Sequence, residues 1–354
     1  MKLYSCDMYL DDLQYICTLK LPWNKLRNTS LMLSGASGLI GSFLIDVILE
    51  KNRSDNLNCT VFALGRDKEK LKFRFSKYEA DPKFIIVPHD VNFPLVRSDL
   101  GTVDYVIHLA SNTHPILYAT YPIGTITTNV IGVKNLLDFA VTHNATRFIF
   151  ASSNEIYGEN RGDIELFDED YCGYINCNTL RAAYPESKRC GEALCQAYKI
   201  QEGLDVVIAR FTRSYGPTME MSNTRALSQF IKNGVAGEDI VLKSSGTQYF
   251  SYTYMADAVS GLLYAMFEGK NGEAYNIADE KGDITLRNLA EIIATINGKR
   301  VVFEQPDEVE ASGYSKATKA RLNGQKLQAL GWEAKYDIKT GIERTISILK
   351  SLQS

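Results

Sequence analysis

Tyr184 and Lys188 stand four residues apart in the run Tyr184-Pro185-Glu186-Ser187-Lys188. On a helix that spacing puts both side chains on one face, a turn apart. An ammonium beside a phenol stabilises the phenolate, so a tyrosine whose ordinary pKa is about 10 can act as a base closer to neutrality. Upstream, Ser153 and Glu155 lie in Ser152-Ser153-Asn154-Glu155, with Tyr157-Gly158 just beyond. A serine hydroxyl can share the proton a tyrosine removes from an alcohol, and a carboxylate can orient a ring or take a second proton. Tyr-x-x-x-Lys alone is equally a pattern of exposed helices, so its meaning depends on its surroundings.

The surroundings begin with Leu31-Met32-Leu33, a short buried strand. It runs into Ser34-Gly35-Ala36-Ser37-Gly38-Leu39-Ile40-Gly41 and an apolar helix from Phe43 to Leu49. Strand, glycine turn and helix in that order bind phosphate in dinucleotide folds. Gly35 permits the tight turn, Gly38 the approach of a pyrophosphate, and Gly41 close helix–strand packing. The second strand, Thr60 to Leu64, leads to Gly65-Arg66, with Lys68 and Lys70 following. A carboxylate for the ribose hydroxyls is expected there, about 20 residues past the glycines. Arg66 instead suits a ribose 2′-phosphate and favours NADP over NAD. In the alternative, Arg66 stacks on adenine while Asp67 or the main chain handles the ribose. Asp67 to Tyr78 reads as a helix most of whose charges form a solvated face.

Further strands are predicted at Phe84 to Val87, Asp104 to Ala110, Arg147 to Ala151 and Asp205 to Arg210. A helix with apolar positions Val130, Val133, Leu136, Leu137 and Ala140 lies between the second and third of these. The alternation predicts an α/β protein with a doubly wound parallel sheet, ligands sitting at the carboxyl ends of its strands. Ser153 and Glu155 fall on that edge. The expected organisation is an N-terminal extension over 1–28, to which no chemistry is assigned, and a dinucleotide-binding domain over 29–210. The latter has a return segment near 245–276, and a smaller, mainly substrate-binding domain covers 211–354. That last part reads as short helices and irregular segments punctuated by Gly246, Gly272, Gly282 and Gly313.

The bulk properties exclude several function classes. A chain of 354 residues has room for two packed units, and a net charge of −3 offers no basic field for nucleic acid or an anionic membrane. Its apolar runs are too short to cross a bilayer, and Asp7, Asp11 and Asp12 interrupt the apolar core a signal peptide needs, so a cytoplasmic protein is expected. The seven cysteines include no Cys-x-x-Cys pair. The spacings Cys172/Cys177 and Cys190/Cys195 do not suit zinc, and reduced thiols are expected. His89, His108, His114 and His143 are scattered, so no metal site is predicted.

The glycine turn, Asp90-Val91, His108-Leu109-Ala110, Ser152-Ser153, Tyr157-Gly158, Tyr184-x-x-x-Lys188 and Gly216-Pro217 occur in one order over roughly 30–345. Together they resemble the extended short-chain dehydrogenase/reductases that remodel nucleotide sugars, with a Rossmann-like sheet and a smaller C-terminal domain. Tyr121-Pro122-Ile123, Thr128-Asn129-Val130-Ile131-Gly132, Glu169-Asp170-Tyr171, Arg181-Ala182-Ala183-Tyr184 and Gln201-Glu202-Gly203-Leu204 are similar to UDP-glucuronate decarboxylases within that group. The resemblance implies that Tyr184 removes the sugar 4-hydroxyl proton and Ser153 shares it. Lys188 then tunes the tyrosine and holds the nicotinamide ribose. The cofactor would meet Gly35, Ser37, Gly38, Leu39, Ile40 and Gly41, then Arg66, Asp90, Val91, Leu109, Ala110 and Ser111, besides Tyr184 and Lys188. Glu155 matches a glutamate of decarboxylases and 4,6-dehydratases, where simple 4-epimerases carry a small or apolar residue.

The substrate side departs from that pattern. Phe250 stands where an arginine usually grips the diphosphate, Arg213 where the decarboxylases have asparagine, and Thr218 where they have arginine. Their later arginine has no clean counterpart among Lys316, Lys319 and Arg321. Losing a charged hydrogen bond to phosphate costs roughly 1.5–3 kcal/mol, so a replacement anchor is expected. Arg213 and Arg225 are the candidates, with Asn154, Arg181 and Phe250 beside them in the substrate site. The implied activity is NAD(P)-dependent oxidation of a nucleotide sugar at C4 followed by decarboxylation or dehydration, lyase chemistry of the kind that feeds polysaccharide biosynthesis. A 4-epimerase, an NADPH-dependent 4-ketoreductase, and a non-catalytic NADP-binding regulatory protein remain as alternatives. The resemblance also implies a homodimer with the 123–143 and 184–202 helices across its two-fold axis.

Overall fold

Apolar runs of the sequence assemble into one parallel sheet in a computed structural model that describes residues 2–113, 115–306 and 317–353. His114, Gly313 and Lys316 lie outside the described residues. The strands are β1 (Ser30–Ser34), β2 (Thr60–Gly65), β3 (Phe84–Pro88), β4 (Tyr105–His108), β5 (Arg147–Ser153) and β6 (Val206–Phe211). Across the sheet the order is β3, β2, β1, β4, β5, β6, and a seventh strand, Ala274–Ile277, pairs with β6. The order reverses between β1 and β4, and in open parallel sheets ligands bind in the crevice at such a switch point.

The pleat decides which residues cover which face. Leu31, Leu33, Val61, Ala63, Ile107, Ile149, Val207 and Ala209 share one core with α1 (Asp7–Cys17), α2 (Leu39–Asp55) and a later helix, Met255–Glu268. Their alternates Met32, Phe62, Val106, Phe148, Phe150, Val206 and Ile208 form the other core. That second core packs against α5 (Pro122–Thr142) and α6 (Ala183–Gln201), which contact each other closely. Two short helices, α3 (Lys68–Arg74) and α4 (Pro115–Thr120), flank the carboxyl edge. Among the described residues no helix is long and apolar enough to cross a membrane.

Two sequence expectations are corrected. The helix expected from Asp67 to Tyr78 breaks at Phe75, and Ser76–Tyr78 is a separate turn. The break lets Phe75 and Tyr78 pack on Phe84, with ring centroids at 5.0 and 5.9 Å. Arg74 is the exception to that helix's solvated face: it is buried against Asp46, whose carboxylate also accepts from the Tyr4 and Tyr9 hydroxyls. After β6 the chain is richer in strands than expected: β7 (Arg213–Tyr215), β8 (Ile240–Leu242) and β9 (Tyr249–Tyr254) come first, with more to follow. β7 runs parallel to β9 with Arg213 opposite Tyr252, and Asp283–Thr285 pairs with β9 antiparallel. Strands of three residues leave too short an alternation to read from sequence.

The leading segment is a clasp. Asp12 on α1 is fully buried and accepts hydrogen bonds from Tyr254 (2.6 Å), Tyr336 (2.8 Å) and Arg344 (3.0 Å). It ties the start of the chain to the end of β9 and to the helix Ile338–Ser351.

Candidate active site

The glycine turn is shaped by backbone. Gly35 has φ +70°, and a Cβ there would meet Ala110 N at 2.8 Å, so only glycine fits both the angle and the approach of β4's exit. A Cβ on Gly41 would lie 2.5 Å from Gly35 O. Gly38 precedes α2 with no side chain capping the helix, so the first N–H groups of α2 remain for an anion at the positive end of the helix dipole. Under the turn, Ser34 Oγ bonds His108 Nδ1 at 2.8 Å, and burial drives the His108 pKa down to about 3, so this histidine is a neutral strut.

From the turn a single cavity of about 780 Å³ runs along the carboxyl edge to β9. Every cofactor, catalytic and substrate residue expected above lines it, and Thr218 does not. Thr218 Oγ1 instead donates to Leu39 O at 2.8 Å, bolting the Gly216-Pro217 loop to the first turn of α2. At the adenosine end, Asp67 accepts from Lys70 N at 2.9 Å as the cap of α3, and the Lys70 ammonium pairs with Glu220 across the groove. Asp90 accepts from both nitrogens of Asn92, and Val91 O accepts from Asn135 Nδ2 at 2.8 Å, which fixes the turn after β3.

The four residues of the catalytic expectation converge where β5 ends. Ser153 caps the turn Asn154–Tyr157 and accepts from Glu155 N at 3.2 Å. Tyr184 occupies the first turn of α6, where Pro185 costs no helical hydrogen bond. Burial first and the Glu155 carboxylate second push the Tyr184 pKa up to about 12, while the Ser153 hydroxyl and the Arg225 and Arg181 charges act the other way. Lys188, one turn along, donates to Ala151 O at 2.8 Å and stands 6.0 Å from the Tyr184 ring centroid. Burial lowers the Lys188 pKa to about 7, with Glu192 and Cys195 acting the other way. Thus the lysine is docked on the sheet, and the Ser153 hydroxyl rather than the lysine supports the phenolate.

Sequence reasoning missed the residues that brace this set. Tyr118 on α4 stacks on Tyr184 with centroids 4.7 Å apart and carries the Arg181 guanidinium at 4.8 Å on its own ring. Arg181, expected to bind substrate, donates to Glu155 at 2.5 Å, so the stack links acid and phenol. Ser111 donates to Asn129 (2.7 Å), Asn129 to Ser187 (2.9 Å), and Ser187 to Tyr184 O (2.9 Å), joining the edge of β4 to α6. Behind Lys188, Glu192 accepts from Ser152 at 2.5 Å and from Arg210 at 2.7 Å. Ser187 and Glu192 sit at helical spacing from Tyr184 and Lys188, a signal that was there to be read. Tyr118 and Asn129 have none.

Residues 31–278 match the NAD dependent epimerase/dehydratase family. The chain belongs to that family. It is 34% identical over 319 residues to UDP-glucuronic acid decarboxylase 3 of Arabidopsis thaliana, covering 89% of this chain and 87% of the relative. Among solved structures it is similar to a dTDP-glucose 4,6-dehydratase from Streptomyces venezuelae with bound NAD. The TM-score is 0.78 at 24% identity, over 90% of this chain and 96% of the other. A UDP-glucuronic acid 4-epimerase from Bacillus cereus gives a TM-score of 0.79 at 21% identity, over 92% and 100%.

Within the epimerase/dehydratase fold, the end of this chain's cavity nearest β9 is built around stacked charge. The Arg213 Cζ lies 3.5 Å from the centroid of the Phe250 ring. Burial works against the Arg213 charge, as do Arg181 and Arg225, while Tyr252 and Glu155 support it. Arg225 donates through Nε to Asn223 Oδ1 at 3.3 Å, just ahead of the helix Ala226–Ala236. Asn154, buried beside Ser153, completes the wall.

Proposed function

We propose that this protein oxidises C4 of a nucleotide sugar with a bound nicotinamide dinucleotide and then removes the C5 carboxylate as carbon dioxide, as a UDP-glucuronate decarboxylase does. The observation that carries this reading is the meeting of Ser153, Glu155, Tyr184 and Lys188 in the cavity that the glycine turn opens. The cradle around Gly35, Gly38 and Gly41, which a Cβ would obstruct, fits a dinucleotide pyrophosphate. The exposed Arg66 at the exit of β2 favours a 2′-phosphate. Asp67, half used as a cap, keeps one carboxylate oxygen for ribose hydroxyls. Bound there, the dinucleotide supplies a reversible hydride acceptor.

Tyr184 takes the 4-hydroxyl proton through a hydrogen bond that Ser153 shares. Lys188 holds its position on Ala151 O and presents its charge below the phenol. Once C4 is a ketone, the C5–carboxylate bond breaks, carbon dioxide leaves and the electron pair moves toward the ketone oxygen beside Tyr184 and Ser153. C5 then takes a proton from water, and return of the hydride to C4 and of the Tyr184 proton to its oxygen restores the alcohol. Glu155, fixed by Arg181, orients the ring for that loss. For a substrate without a C5 carboxylate, Glu155 would instead take the C5 proton in a dehydration.

Mass spectrometry of the protein as purified, and after incubation with UDP-glucuronate, tests the reading. Bound NAD or NADP and a product lighter by one carbon dioxide are expected. An unchanged or merely epimerised sugar overturns it. A homodimer is proposed with it, supported by Ile123 (76% exposed) on α5 and Ile200 (81% exposed) on α6. A monomer in gel filtration at micromolar concentration would remove that part.

A further inference from the structure

Three guanidinium groups, of Arg181, Arg213 and Arg225, line the cavity together with the Glu155 carboxylate. Arg181 donates to Glu155 and Arg225 to Asn223. Buried nitrogens without a hydrogen-bond partner among the described residues occur on Arg181 (Nε, Nη1) and on Arg213 (Nη1), but Arg181 is paired with a carboxylate and Arg213 is not. Its close support is the Phe250 ring. An aromatic face steadies a cation through its quadrupole without consuming an N–H, whereas a carboxylate would neutralise the charge and occupy the fork. The pairing follows from register. Arg213 is opposite Tyr252, and Phe250 lies two residues away on the same face of β9, within reach of a long side chain from β7. The charge therefore sits against the ring of residue 250, close to where a cationic side chain rooted at 250 would lie.

We infer that Arg213, laid on Phe250, is the anion anchor of the substrate site and grips phosphate or carboxylate oxygens of the nucleotide sugar with its guanidinium. This rests on the nucleotide-sugar reading, but binding rather than turnover tests it. Titration calorimetry of the purified protein with UDP, UDP-glucose and UDP-glucuronate compares wild type, Arg213→Asn, and the double variant Arg213→Asn/Phe250→Arg. Arg213→Asn should weaken binding about 10- to 100-fold, the range for one charged hydrogen-bonding group. The double variant, which returns the charge from β9, should recover most of that loss. A loss shared by all three ligands assigns the anion to the diphosphate, and one confined to UDP-glucuronate assigns it to the sugar carboxylate. Wild-type affinity in a folded Arg213→Asn, or no recovery in a folded double variant, overturns the anchor. Wild-type protein that binds none of the three overturns the nucleotide-sugar reading and the anchor with it.

Discussion

The two ends of the cavity are made of different materials. The cofactor end is shaped by main chain: the Gly35 turn against Ala110, the uncapped start of α2, and turns pinned by Asn92 and Asn135. The substrate end is shaped by long charged side chains held on aromatic rings, Arg181 on Tyr118 and Arg213 on Phe250. Backbone geometry tolerates little change, because each position serves both the fold and the ligand. A stacked arginine can be moved to a neighbouring strand while the fold stays as it is.

The junction of the two ends offers the largest test. Tyr184→Phe removes the base and keeps the stack on Tyr118, so carbon dioxide release should fall by about 10²–10⁴-fold while bound dinucleotide is retained. Loss of the cofactor as well would mean that the ends are not separable. Gly35→Val attacks the backbone end alone. With a positive φ and the Ala110 backbone in the way, it should cost about 1–3 kcal/mol of stability or more, and the protein should purify without dinucleotide. Absorbance of the released cofactor and a melting curve measure this.

Glu155→Gln separates the steps at the other end. Decarboxylation should drop by about 10²-fold, toward the lower range for such groups, while a transient rise at 340 nm shows that C4 is still oxidised. The smallest effect is a displacement of the pH profile. Glu155 raises the Tyr184 pKa and Arg181 lowers it. Removing the carboxylate should therefore shift the acid limb of the residual rate to lower pH, and Arg181→Gln should shift it to higher pH. Identical limbs in the two variants would show that neither charge reaches the phenol.

The same division explains what was legible in the sequence. The glycine turn, the six strands from β1 to β6 and the Tyr184 helix could be read because apolar alternation and glycine spacing are local. Glu155 and Ser153 could be placed because they follow a strand. The brace of Tyr118, Asn129 and Arg181 was not legible, since it joins α4, α5 and the turn before α6, and no local period marks it. The partnership of Arg213 with Phe250 was hidden for the same reason. Each residue stood out as a departure, but only the register of β7 on β9 makes the two a single unit. Arg74 could not be picked out as the buried member of its charge run until Asp46 appears opposite it.

The Asp12 clasp bears on the order in which the molecule can be completed. Asp12 and Arg344 are 332 residues apart, so a nascent chain carries the acid long before its partners exist. Chains fold from the N-terminus as they are made, and the strands from β1 to β6 need nothing beyond residue 211 to pair. The buried carboxylate must wait in water until Tyr254, Tyr336 and Arg344 have all been synthesised. Closing it is then a late event that sets the end of β9, and with it the strand that carries Phe250. The strand pairs from β1 to β6 lie before residue 212, whereas the part of the cavity on β9 is complete only when Asp12 meets Tyr254, Tyr336 and Arg344.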